Sequence, residues 1–179
     1  ATGAITPNVL LHIDGGGTIN LANALGGNSG ITTNIDVNNN GSGTNGVISL
    51  NGSSALSSIG TITLNITGGN GYSLNLANLR STAGAAGVTT FNPTTAAVTI
   101  GNITGTQATG TNTWTLSGTN TGNAVTGVIS DSSAGAKSAV NKIGTSTWDL
   151  DGANTYTGAT TVNGGVLNLD GSISGSAIT

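Results

Sequence analysis

Thr61-Ile62-Thr63-Leu64-Asn65-Ile66 places three apolar side chains on one side of an extended chain and three polar ones on the other, and Gly68-Gly69 then ends the run. The same short alternation recurs at Val9–Ile13, Val47–Leu50, Tyr72–Leu76, Val98–Ile100, Trp114–Leu116, Val125–Ile129, Trp148–Leu150 and Val166–Leu169. A period of two over four to six residues is the pattern of a half-buried strand. Between the runs stand Gly15-Gly16-Gly17, Asn40-Gly41, Asn51-Gly52 and Asn163-Gly164-Gly165. Glycine and asparagine tolerate the positive φ of sharp turns. No segment carries a 3.6-residue apolar period, and the Ala-rich stretch Ser81 to Gly87 reads as a loop. Such a chain folds into many short strands.

Composition narrows the choice among all-β folds. Glycine fills 31 of 179 positions, charged residues make up 5% and aromatics 3%, where an ordinary domain carries about 25% charged residues. The apolar supply suits a narrow core, one or two side chains wide per layer. A disordered chain would be rich in charge and Pro. This one is rich in Thr, Ile and Val and has two Pro, which favours strands. Three basic residues, Arg80, Lys137 and Lys142, are too few to neutralise a nucleic-acid backbone. No basic amphipathic stretch or long apolar run points to membrane insertion. With no Cys, the fold relies on no disulfide. The missing Met leads to the expectation that a leader has been removed or that the sequence is a piece of something longer.

Trp114-Thr-Leu-Ser-Gly-Thr-Asn-Thr matches Trp148-Asp-Leu-Asp-Gly-Ala-Asn-Thr 34 residues on. A unit with a sparse apolar face cannot bury it alone, but stacked units do so, and equivalent side chains then pile into Asn and aliphatic ladders. Stacked like charges would repel, in keeping with a charge-poor chain. The expected fold is an all-β, right-handed parallel β-helix, or β-solenoid, with little or no helix and roughly eight coils of about 20–25 residues. It forms one solenoid over 1–179, with degenerate coils at 1–109, two recognisable units at 110–169 and the start of a further coil or a linker at 170–179.

Asn141 to Leu167 carries Lys142, Gly144, Trp148, Leu150, Gly152, Asn154, Tyr156, Gly158, Thr160, Val162, Gly165 and Leu167 at the spacing K-x-G-x-G-x-W-x-L-x-G-x-N-x-Y-x-G-x-T-x-V-x-x-G-x-L, with Ser146 at the second glycine. It closely resembles the passenger-associated transport repeat, also called the autotransporter-associated β-strand repeat. The unit at 110–130 fits the first half alone. The resemblance implies a large bacterial surface or secreted protein with the repeat in a β-helical stalk, aiding export and folding of the passenger.

Several residues invite a chemical reading. Asp149 and Asp151 share a strand face, as paired carboxylates of a glycosidase would, or as calcium ligands with Asn154 would; a solvated outer face explains them better. His12 stands beside Asp14, but no nucleophile elbow accompanies them, and Asp14-Gly-Gly-Gly lacks the Lys of a phosphate loop. Trp148 and Tyr156 suit sugar stacking or, better, the thin core. The pairs Thr61/Thr63, Thr111/Thr113, Thr119/Thr121, Thr145/Thr147 and Thr155/Thr157 suggest ice-binding ladders or plain β-propensity, the latter favoured. No catalytic, cofactor-binding or metal residue is assigned, and no cofactor is expected. The expected role is a non-enzymatic extracellular scaffold, a fibre or stalk. Its expected partner is itself, stacked end to end, or continuing solenoid, since uncapped ends expose strand edges. An adhesin segment contacting glycans or surfaces is the alternative; a polysaccharide-degrading enzyme or an ice-binding solenoid ranks lower.

Overall fold

A computed structural model describes residues 8–22, 25–27, 29–52, 56–58, 60–81 and 86–179. The loop expected between Ser81 and Gly87 falls mostly outside them. Among the described residues there is no helix, and every pairing between strands is parallel. The first wall stacks Asn8–His12, Ile31–Asn38, Thr61–Gly68, Gly87–Pro93, Gly110–Leu116, Ala136–Lys142 and Thr160–Val162. The second stacks Thr18–Leu21, Val47–Leu50, Ser73–Ser81, Val98–Gly105, Asn123–Val125, Thr147–Leu150 and Val166–Leu169. The chain visits the two walls alternately, so each circuit lays one strand on each. A third, narrower wall includes Leu25–Gly27, Leu56–Ser58, the ends of Ser73–Ser81 and Val98–Gly105, and Ile129–Ser130. The chain is a β-solenoid.

Among the described residues each main wall is seven strands deep, against the roughly eight coils expected, because several coils are longer than assumed. Successive asparagines at one ladder position are 26, 31 and 27 residues apart. Near the C-terminus the advance shortens to 19, from Asp149 to Asn168. No coil has the 34-residue spacing of the sequence match. Trp114 lies in the first wall, in register with Val140, and Trp148 in the second, in register with Asn123.

Alternation along each strand becomes a column across coils. Leu21, Leu50, Leu76, Ile100, Val125, Leu150 and Leu169 occupy one register position of the second wall. From Leu50 to Leu150 they are buried, whereas Leu169 in the last strand of this wall is 41% exposed. Burying each such side chain contributes about 1.5–3 kcal/mol. The core is thin enough for one aromatic pair to span it: Phe91 from the first wall meets Trp148 from the second at a ring-centre distance of 6.3 Å.

At the corner where the second wall turns, Gly101, Gly127, Gly152 and Gly171 follow one another, one per coil. A Cβ on Gly101 would overlap the Ala77 carbonyl, one on Gly152 the Gly127 carbonyl, and one on Gly171 the Gly152 carbonyl. None of these four has a positive φ; the hydrogen atom is required by the close approach of successive coils.

Outside the first wall runs an asparagine ladder. Asn34 Nδ2 donates to Asn8 Oδ1 at 2.9 Å, Asn65 to Asn34 at 2.9 Å, and Asn92 to Asn65 at 2.8 Å. Asn65 is the middle link on both sides and is half-buried. Asn65→Ala cuts two of these bonds, but water can reach the groups left behind, so the expected loss is only about 1 kcal/mol. Urea unfolding measures it as a small fall in midpoint at constant m-value.

Candidate functional site

The segment that the sequence singles out ends on the last strands of the two main walls. From Ser146 to Thr160 burial alternates strictly, with every even-numbered residue inward. This holds even where the chain leaves the strands to round two corners, so the period of two follows the whole coil.

Lys142 starts the segment. It lies in the first wall between Leu116 and Val162 in register, and it is fully buried. Its Nζ donates to the Ile143 carbonyl at 2.7 Å and to the Gly164 carbonyl, one coil on, at 3.1 Å. Burial pushes its ammonium below the ordinary lysine value. A buried cation without such acceptors would be very costly. Gly165 has a φ of 70°, and a Cβ there would come within 2.6 Å of the Lys142 Nζ.

Ser146 and Trp148 converge on one acceptor. Ser146 Oγ donates to the Ser117 carbonyl at 2.8 Å, and Trp148 Nε1 donates to the same oxygen at 3.1 Å. Ser146, which stands where the repeat usually has glycine, adds a link between coils. Asn154 is buried at the next corner. Its Oδ1 accepts from the Ile129 N–H at 2.9 Å, and its Nδ2 donates to the Gly152 carbonyl at 2.8 Å. Asn123 acts similarly in the second wall, accepting from Val98 N–H and donating to the carbonyls of Asn120 and Thr147. Gly158 packs so closely on the Ser138 carbonyl that a Cβ would overlap it. Tyr156 is buried, its hydroxyl 2.6 Å from Thr160 Oγ1, which lies 2.8 Å from Ser176 Oγ.

With Leu150 in the aliphatic column and Gly152 in the glycine corner, the segment binds each coil to the one before and the one after. Residues 140–169 match the passenger-associated-transport-repeat. No curated protein and no solved structure matches the chain. The matched segment spans about one and a half coils of the β-solenoid, from the end of Ala136–Lys142 to Val166–Leu169, together with their clamps. Lys142, Trp148, Leu150, Asn154, Tyr156 and Thr160 are all buried, and the chain carries a passenger-type structural repeat.

The other candidates are scattered. Asp149 is half-buried on the outside of the second wall and accepts from Asn168 Nδ2 at 2.7 Å. Asp151 is exposed at the corner, and Asn154 points inward with its oxygen already engaged. The three do not converge, and among the described residues no group of three or more His, Cys, Asp or Glu side chains gathers. His12 pairs with Asp36 one coil on rather than with Asp14: Nε2 lies 2.6 Å from Asp36 Oδ2. A hydrogen bond from Thr67, joined by His12, holds the Asp36 carboxyl below the usual range against the opposing effect of burial. Asp14 accepts from the N–H groups of Asn40 and Ser42, both at 3.1 Å, and so fixes the next turn.

Trp148 and Tyr156 are sealed inside and offer no face to a sugar. The threonine pairs are spread around the coil: Thr61/Thr63 and Thr111/Thr113 on the first wall, the others on turns, the second wall or the last corner. A different set aligns, with Thr32, Thr63, Thr90 and Thr115 in register beside the asparagine ladder.

Two anchors were not visible in the sequence. Tyr72 donates to the carbonyls of Ile13 and Gly15, 59 and 57 residues away. Asp131 accepts from Ser138 N–H and from the N–H and hydroxyl of Thr157. Both link positions with no local pattern in common.

The buried phenol gives a pH signature. Burial raises the Tyr156 pKa above its ordinary 10.0. Above that pH the unfolded chain gives up this proton while the folded chain keeps it. The Tyr156 contribution is therefore whole below pH 10.0 and is lost as pH rises through the folded value. Lys142, lowered from 10.5, acts in the opposite sense over the interval below that value. Tyr156→Phe is expected to cost about 1 kcal/mol at pH 7, for the bond to Thr160, and to lose less stability than wild type between pH 9 and 11. Denaturant midpoints across that range check it.

Proposed function

We propose that the chain is a rigid scaffold segment of a bacterial secreted or cell-surface protein, a stalk or fibre element without enzymatic activity. The observation that carries this reading is where the repeat's signature side chains point. Lys142, Trp148, Asn154 and Tyr156 all bond or pack within the stack, so the signature pattern of the unit is accounted for by holding coils together. Secretion follows from the passenger-associated-transport-repeat by analogy with the autotransporters for which it is named.

The scaffold extends by adding coils. Ala177 and Thr179 already hydrogen-bond along Thr160–Val162 as a further parallel rung. Val162, Val166 and Leu169 offer partly exposed apolar surface at that end, of the kind that a following coil covers elsewhere in the stack. In this reading that coil belongs to more solenoid, in the same polypeptide or a neighbouring copy. Head-to-tail copies form an open filament, because the contact does not close on itself. Electron microscopy and sedimentation of the purified protein over a range of concentrations test it. Rods that lengthen with concentration are expected; short single particles at every concentration would sink end-to-end assembly by this chain.

A second reading, an adhesin segment, is favoured by the stacked, half-buried Thr32, Thr63 and Thr90 on the outside of the first wall. Hits on a glycan array that disappear on Thr63→Lys would support it, and an array without hits would remove it.

A further inference from the structure

Buried polar side chains such as Lys142, Asn123 and Asn154 have hydrogen-bond partners; two where the chain re-enters the first wall are left with unpartnered atoms. Asn112 is 2% exposed and Gln107 3%. Asn112 Oδ1, Asn112 Nδ2 and Gln107 Oε1 are buried with no hydrogen-bond partner among the described residues. Each such group costs about 1–3 kcal/mol if nothing satisfies it, and buried polar atoms left in that condition are rare.

The two side chains meet adjacent residues of the next coil, Lys137 and Ser138. Gln107 Nε2 reaches the Lys137 carbonyl at 3.5 Å. Lys137 is in register with Thr111, and the next residue, Ser138, is in register with Asn112. Protein partners at that level are already committed: Ser138 Oγ accepts from Trp114 Nε1 at 3.2 Å and donates to the Ser130 carbonyl at 2.9 Å. On the other side, the register partner of Asn112 is Gly87, which has no side chain to cover or bond the amide. The orphaned set comprises two acceptors and one donor group, and water complements it, donating to the oxygens and accepting from the nitrogen. Internal waters typically make about three hydrogen bonds to groups of this kind.

We propose that Asn112 and Gln107 form an internal hydration site, holding ordered water as a fixed part of the core. The ligand is water because the site is neutral. Asp131, which accepts from the Ser138 N–H, is also engaged with Thr157, and no cation is called for.

A high-resolution crystal structure of the protein and the melting temperature of Asn112→Leu test the site together. The expected result is a water within hydrogen-bond distance of the Asn112 amide and of Gln107 Oε1. The leucine variant should then melt several degrees below wild type, because it expels the water and strands Gln107 Oε1. A wild-type crystal in which the two side chains bond protein groups, or a site without water, overturns the proposal. So does an Asn112→Leu protein that melts at or above wild type, the behaviour of an amide that was merely orphaned. If the variant does not fold, the wild-type crystal decides.

Discussion

Gly152→Ala is expected to destabilise the C-terminal coils by about 3 kcal/mol or more, a large effect for one methyl group. The added Cβ would overlap the Gly127 carbonyl and crowd the Val128 nitrogen. Both are backbone atoms in the middle of a stack, so no side chain can swing aside. The coil must lift instead, which disturbs the Asn154 bond to Ile129 and the register of Leu150 over Val125. Overpacking a core usually costs about 1–3 kcal/mol because side chains give way; here they cannot. Gly122→Ala is the control, since its Cβ would meet nothing closer than 3.6 Å, and it should be within about 0.5 kcal/mol of wild type. Urea unfolding monitored by tryptophan fluorescence reads both. Equal midpoints for the two variants would show that the corner is looser than described.

Trp148→Ala is the second large effect. The indole is fully buried, faces Phe91 across the core, lies between Asn123 and Leu167 in register, and donates to the Ser117 carbonyl. Emptying such a site typically costs about 3–5 kcal/mol. Trp148→Phe fills most of the volume but loses the donor, and should recover more than half of the loss. Neighbouring coils are coupled through shared faces, so the coils at 140–169 are expected to lose hydrogen-exchange protection first. Uniform loss along the chain would mean that the stack unfolds as a single unit.

The local pattern was a good guide to which residues face inward. The run at Thr61–Ile66 became the strand Thr61–Gly68, and Val9–Ile13 became Asn8–His12. The pattern failed where inward positions are small or polar. Ala136–Lys142 buries Ala136, Ser138, Val140 and Lys142, and such a series shows no hydropathic alternation. The run at Val125–Ile129 was split, because the glycine corner passes through Gly127. Partners between coils were hidden for another reason. Coils of unequal length place contacting residues at separations from 19 to 31, so no fixed period leads from His12 to Asp36. The match between the Trp114 and Trp148 segments likewise records shared local sequence on two different walls.

The unequal coil lengths have a mechanical consequence. Pulled from its ends along the stacking axis, a solenoid of this kind sheds coils one after another. Each released coil adds contour length in proportion to its residues, at about 3.3–3.6 Å per residue. The 31-residue advance from Asn34 to Asn65 would release about 105 Å and the 19-residue advance from Asp149 to Asn168 about 65 Å. A force-extension trace of this molecule would therefore have unequal steps, their sizes giving the order in which the coils detach.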